Sequence, residues 1–178
     1  MGPSRVERIF SPLGEILLVT GDDDTVFALE WSSDRPRLDR HLSRAWAGAV
    51  LEEVPLRSDP ALSVRDYFEG DLGALEALRT EPVGTDFQMR VWFALRRIPV
   101  GQTLSYGQLA RDLGAPKAAR AVGLANGQNP VSIICPCHRL VGSDGSLTGY
   151  AGGLDRKAWL LAHEGARPPA LELPSGAD

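Results

Sequence analysis

Ser105-Tyr106-Gly107-Gln108-Leu109-Ala110-Arg111-Asp112-Leu113-Gly114-Ala115-Pro116-Lys117-Ala118-Ala119-Arg120-Ala121-Val122-Gly123-Leu124-Ala125-Asn126 reads as two short helices joined by a tight turn. Ser105 and Gln108 have the spacing of a capping box, which satisfies free backbone N–H groups at a helix start. That helix runs through Leu113, and Gly114-Ala115-Pro116 turns the chain. Pro116 stands where the next helix, Lys117 to about Asn126, would begin. The pattern fits a helix-turn-helix. The second helix has little bulk on its outer side: Ala118, Ala119, Ala121, Gly123 and Ala125 surround only Lys117, Arg120 and Asn126. Such a surface suits tight packing on another helix, or close approach to an anionic partner.

Charge distribution favours the second of these. The 178-residue chain carries a net −4, but residues 87–130 hold six basic side chains against Asp112 alone, a local +5. Residues 1–86 sum to −8 and residues 131–178 to −1. A basic segment inside an acidic protein is a candidate polyanion footprint, although solvated helix faces produce the same count. Position within that segment points the second helix toward nucleic acid.

Working toward the N-terminus, Thr85-Asp86-Phe87-Gln88 is another capping box. It opens a helix with Phe87, Val91, Trp92, Leu95 and Ile98 as its buried stripe, stopped by Pro99-Val100-Gly101. Residues 70–84 read as a connection. Before it come three β-rich runs, 6–10, 15–20 and 25–31, joined by short polar turns as in an antiparallel meander. Leu38, Leu42, Ala45, Trp46 and Ala49 form one helical stripe, and Ser58-Asp59-Pro60 opens a further short helix. The expected organisation is an α/β support unit with its connection at 1–84, a mainly α unit at 85–165, and a disordered Pro/Gly-rich tail at 166–178. Nothing in the first unit resembles a site. Asp22-Asp23-Asp24 reads as a solvated turn rather than a metal ligand set.

Working toward the C-terminus, Pro130-Val131-Ser132-Ile133-Ile134-Cys135-Pro136-Cys137-His138-Arg139 reads as an apolar strand that delivers a thiol, an imidazole and a guanidinium. An apolar approach ending in reactive groups suggests a nucleophile on the floor of a pocket. The Gly-rich loop 148–153, with Tyr150, reads as a pocket wall, since it lacks the context of a phosphate-binding loop. The last helix, Asp155 to His163, ends at Glu164-Gly165. A carboxylate there faces the negative end of the helix dipole and needs a cationic neighbour, for which a protonatable histidine is a candidate.

The two cysteines, Cys135 and Cys137, are too close for an unstrained disulfide and read as free thiols of a reducing cytoplasm. No apolar run is long enough to span a membrane, and the first residues lack the apolar core of a secretory signal. Cys135, Cys137 and His138 are crowded for one tetrahedral zinc ion, so no metal is expected. Cys137, His138 and Glu164 supply a thiol, a base and a carboxylate. That set suits an activated nucleophile, but by adjacency alone a Cys-His pair is more often structural than catalytic.

The stretch 84–165 closely resembles the O6-alkylguanine-DNA alkyltransferases. The resemblance is carried by Gly84-Thr85-Asp86-Phe87-Gln88, Val91-Trp92, Ile98-Pro99, Ser105-Tyr106, Ala119-Arg120-Ala121-Val122, Asn129-Pro130, Pro136-Cys137-His138-Arg139, Tyr150-Ala151-Gly152-Gly153-Leu154 and Leu160-Leu161-Ala162-His163-Glu164-Gly165. Ser11-Pro12-Leu13-Gly14 and Tyr67-Phe68 extend it weakly into the first half. It implies a ribonuclease H-like α/β domain followed by a winged-helix domain. It also implies single-turnover repair, in which a flipped-out O6-alkylguanine, or O4-alkylthymine, loses its alkyl group to Cys137. By the same resemblance His138 activates Cys137 through a water and Glu164 orients His138. Tyr106 donates to the leaving base and Arg120 fills the gap in the duplex. Asn129 braces the turn before the acceptor, Arg139 is structural or borders the pocket, and Ser143, Tyr150, Ala151 and Gly152 line it. Lys117, Ala119 and Ala121 join Arg120 and Tyr106 at the minor groove of double-stranded DNA. No cofactor is implied. The expected state is a monomer that can assemble cooperatively on DNA.

Displacement at an alkyl carbon suits a thiolate, and the resulting thioether is not cleaved by water, so the protein should act once. Cys135 departs from the aliphatic residue usual in the family. A non-repairing branch carries tryptophan at the acceptor position, and Cys137 argues against it. Two further readings are a non-catalytic DNA-lesion-binding or regulatory protein, which would bind equally well without the thiol, and a cysteine hydrolase, which would turn over repeatedly.

Overall fold

The computed structural model describes residues 2–166. The meander forms from the three β-rich runs as expected, with strands β1 (Arg5–Ser11), β2 (Gly14–Thr20) and β3 (Val26–Trp31). Successive strands pair antiparallel, and a short β4 (Glu52–Glu53) adds in parallel beside β1, giving the order β3-β2-β1-β4. The sequence reading missed β4, an exposed pair of glutamates with no apolar alternation to mark it. Helix α1 (Arg35–Ala45) seals one face of the sheet through Leu38 and Leu42, which join Val6, Leu17, Val19, Phe27 and Ala28 in a small core. It stops at Trp46, short of the Ala49 expected from periodicity. The indole there leaves the helical path to pack edge-on against Phe27, with 5.0 Å between ring centroids.

Helix α2 (Asp59–Glu69) crosses the other face, capped by Ser58, whose hydroxyl accepts from Ala61 N at 3.2 Å. Both expected capping boxes are present, on α3 (Asp86–Leu95) and on α4 (Tyr106–Asp112). Helix α5 (Ala119–Gly127) begins two residues later than Pro116 and Lys117 suggested, because residues 115–118 form a separate turn closed by Ala118 N to Ala115 O, 2.8 Å. Strand β5 (Leu104–Ser105) pairs in parallel with β6 (Leu140–Val141), and α6 (Leu154–His163) closes the described chain. Ala166, placed at the head of the expected disordered tail, is buried, and the rest of that tail lies outside the described residues.

Two features position the site. One core holds Ile9, Leu29 and Trp31 of the sheet together with Val91 and Trp92 of α3, Val122 of α5 and Leu160 of α6. The open edge of β3 is also occupied by later chain. Val26 bridges Thr80, and Leu29 bonds Pro130 O and Ser132 N, each at 2.9 Å. The segment leading to Cys137 is thereby anchored to the N-terminal sheet.

Candidate active site

The expected strand through 130–135 is a tight turn instead. Ile133 sits at φ 69°, a left-handed conformation that a β-branched side chain rarely adopts, and Cys135 N returns to Val131 O at 2.9 Å. Asn129 closes this turn. Its amide donates to Cys135 O at 2.8 Å, and its side-chain oxygen accepts from Val131 N at 3.0 Å. Cys137, His138 and Arg139 then form one turn of 3₁₀ helix, so the three reactive groups fan out around an axis rather than alternate as on a strand.

Cys137 is 5% exposed and His138 is fully buried. His138 Nε2 lies 2.9 Å from Glu164 Oε1. Arg139 grips the same carboxylate twice, at 2.9 and 2.8 Å, while its remaining nitrogen donates to Ile98 O at 2.6 Å. The Tyr67 hydroxyl donates to Glu164 Oε1 at 2.8 Å. The cation needed at the end of α6 is therefore chiefly Arg139, whose guanidinium braces the carboxylate instead of bordering the pocket. Burial would raise the Glu164 pKa, but hydrogen bonds from His138 and Arg139 and the charge of Arg139 outweigh it and hold the carboxyl down at about 2.

Burial pushes the His138 pKa down, and Glu164 only partly restores it, so the resting imidazole is neutral. An ionised carboxylate can only accept, which puts the imidazole proton on Nε2 and leaves Nδ1 as a free base. Nδ1 has no hydrogen-bond partner among the described residues. Burial likewise pushes the Cys137 thiol up, and Asn129, Arg37 and Lys157 pull it back only in part. A protonated thiol beside a neutral imidazole with a free nitrogen is a nucleophile awaiting proton removal.

The other expected residues fall around this centre. Tyr106 opens α4 and donates its hydroxyl to Thr148 O at 3.0 Å, tying the helix to the loop that holds Ser143, Tyr150, Ala151 and Gly152. The Tyr150 hydroxyl is buried without a protein partner. A side chain at Gly152 would meet Trp31 Nε1 at 2.5 Å and Tyr150 at 2.6 Å, so only glycine fits. Lys117, Arg120 and Ala121 are exposed and Ala119 is half-buried, at the start of α5 and on its outer side.

Three contributors escaped the sequence reading. Tyr67, noted there only in the weak resemblance of Tyr67-Phe68, supports Glu164. Arg37 reaches from α1 to Gly127 O and Asn129 O, both at 2.8 Å, and pairs with the buried Glu30. Lys157 is fully buried; it donates to Leu140 O and, at 2.8 Å, to Thr148 O, with burial pushing its pKa down to about 8. Lys157 had a visible signal, since it stands three and four residues before Leu160 and Leu161, the buried leucines of α6. The N-terminal half thus contributes to a site that the sequence placed wholly in the other half.

Comparison with known proteins identifies the family. Residues 86–166 match the family profile described as the DNA-binding domain of 6-O-methylguanine DNA methyltransferase. A methylated-DNA–protein-cysteine methyltransferase of Salmonella typhimurium is 48% identical over 161 residues, covering 89% of this chain and 94% of the relative. One from Methanosarcina acetivorans is 41% identical over 156 residues, covering 88% and 95%. The crystal structure of Mycobacterium tuberculosis OGT in complex with DNA superposes with a TM-score of 0.73 at 39% identity, covering 90% of this chain and 92% of that one. With relatives more than 40% identical and matched over nearly their full length, the chain belongs to the methylated-DNA–protein-cysteine methyltransferase family.

Proposed function

We propose that Cys137 takes the alkyl group from O6-alkylguanine in double-stranded DNA, and from O4-alkylthymine, in one irreversible turnover. The observation that carries the reading is a buried Cys137 thiol followed in sequence by a fully buried His138, whose Nε2 lies 2.9 Å from Glu164 Oε1 while its Nδ1 has no partner among the described residues. In the forward step His138 Nδ1 receives the thiol proton through a water, and Glu164 stabilises the imidazolium. The thiolate attacks the alkyl carbon, a new S–C bond forms, and the C–O bond breaks with its electron pair left on guanine. Tyr106, freed from Thr148 O, donates to the ring as that charge develops, and the proton finally rests on the departing base.

A thiol only 5% exposed is reached by a base that has left the duplex. Arg120 fills the vacated stack, and the small residues Ala119 and Ala121 let α5 lie in the minor groove with Lys117 beside it. Asn129 fixes the turn before the acceptor, and Ser143, Tyr150, Ala151 and Gly152 line the alkyl pocket. The reading includes a ribonuclease H-like unit at 1–84, a winged-helix unit from 85, and a cytoplasmic monomer that assembles on DNA. Incubation with a duplex containing one O6-methylguanine should add the mass of one methyl group to the peptide bearing Cys137, at a stoichiometry of one. Repair that persists undiminished in Cys137→Ala would overturn the assignment, and lesion binding without transfer would make the protein a damage-binding one.

A further inference from the structure

A cleft of about 610 Å³ opens where α1 faces the start of α3 and the end of α5. Its α1 wall is a stripe of Arg37, Arg40, His41 and Arg44, residues spaced three, four and seven apart and so on one side of the helix. Arg37 is held by Glu30 and by the carbonyls of residues 127 and 129. Arg40 and Arg44 are exposed and have no carboxylate within 4.0 Å among the described residues. Like charges repeated along one helix side repel, and a cleft concentrates their field, so the arrangement favours an anion.

The opposite wall offers neutral polar groups. Gln88 and Gln128 line the cleft with their amides joined at 2.6 Å, and Thr85 stands beside them. His41 Nε2 is buried without a partner. Burial, followed by Arg37 and Arg44, pushes the His41 pKa down to about 4. The groups facing it are those three arginines and Glu30, a carboxyl that burial raises to about 7 despite Arg37.

The cleft is continuous with the face expected to meet DNA. Arg120, Ala121, Leu124, Gly127 and Gln128 are the exposed residues of α5 and its cap, and their spacing puts them on one side of the helix. The last two also line the cleft. We infer that Arg40 and Arg44 form a phosphodiester-binding site through which the N-terminal unit grips the backbone of the DNA lying along α5. This rests on the proposed DNA-repair reading and assigns a DNA contact to the half of the chain with net charge −8.

The test compares the intact wild-type chain with Arg40→Gln/Arg44→Gln and with Arg65→Gln, a control on α2. Each binds an undamaged duplex over a range of salt and is assayed for methyl transfer as duplex concentration is varied. Each phosphate contact contributes about 0.9 to the slope of log affinity against log salt. The double variant should show a slope shallower by about 1 to 2 and roughly tenfold weaker affinity, with the defect in transfer confined to subsaturating duplex. An unchanged slope and affinity, while wild type transfers normally, would overturn the cleft alone; failure of wild type to bind or transfer would overturn the repair reading itself. The His41 imidazole NMR signal separates the anion sources. Movement toward the protonated form with duplex, but not with millimolar inorganic phosphate, supports a DNA phosphodiester, whereas response to inorganic phosphate and not to duplex would overturn it.

Discussion

Glu164 stands at the carboxyl end of α6, where the helix dipole opposes a negative charge, yet it is among the most firmly held groups in the protein. Arg139, His138 and Tyr67 all address its two oxygens. Removing the Tyr67 hydroxyl leaves a buried ionised acceptor one donor short, and hydrogen bonds to charged groups contribute about 1.5–3 kcal/mol. Tyr67→Phe should lower stability by about that amount in urea unfolding. The same carboxyl sets an acid limit. Its folded pKa, about 2, lies below the unfolded value of 4.5, so its stabilisation is complete above about pH 4.5 and is lost as pH falls toward 2. The gap corresponds to roughly 3 kcal/mol. Glu164→Gln should be less stable than wild type at pH 7 but lose less stability between pH 5 and 3. Parallel curves would show that another group governs the acid transition.

At the scale of elements, the loop between β6 and α6 is shaped by what it packs against rather than by its own propensity. Tyr106 and Lys157 both bond Thr148 O, and Arg156 reaches back to Gly152 O at 3.1 Å while lying 4.4 Å over the Trp31 ring. Gly152 is the point where the loop touches the sheet. Gly152→Ala puts a methyl group into the Trp31 indole, which cannot yield because it is buried in the common core. Overpacking of this kind costs about 1–3 kcal/mol, and here it also displaces Tyr150. The expected result is a drop in thermal midpoint and a slower rate of methyl transfer at saturating duplex; a variant with both unchanged would refute the close contact.

For the molecule as a whole, the sequence divides into an acidic β-rich half and a basic helical half, but the core does not respect that boundary. Leu29 bonds the turn before Cys137, Arg37 holds the end of α5, and Tyr67 supports Glu164. Elements that share buried contacts unfold together. Trp31 and Trp46 report on the first half, Trp92 and Trp159 on the second. Their fluorescence and the far-UV dichroism should trace one coincident urea transition. Two separated transitions would mean that the halves are independently stable.

Local chemistry made much of this legible without coordinates. The capping boxes at Thr85 and Ser105 and the β-rich runs that became β1 to β3 depend on neighbours a few residues apart, and each stands where the sequence placed it. The turn at Ile133 was not legible: an apolar β-branched run favours a strand, and the left-handed conformation is imposed by Asn129 and by pairing with Leu29. The donors around Glu164 were only half legible. His138 was foreseen, while Tyr67 lies 97 residues away; Arg37, likewise, is 90 and 92 residues from the carbonyls it holds. Sequence alone determined that two short helices joined by a turn follow Ser105 and that an imidazole directly follows a thiol. Tertiary structure decided which nitrogen of His138 is free, what neutralises Glu164, and that the first half helps hold the segment bearing Cys137. Those outcomes follow from burial and long-range hydrogen bonding, which no local pattern encodes.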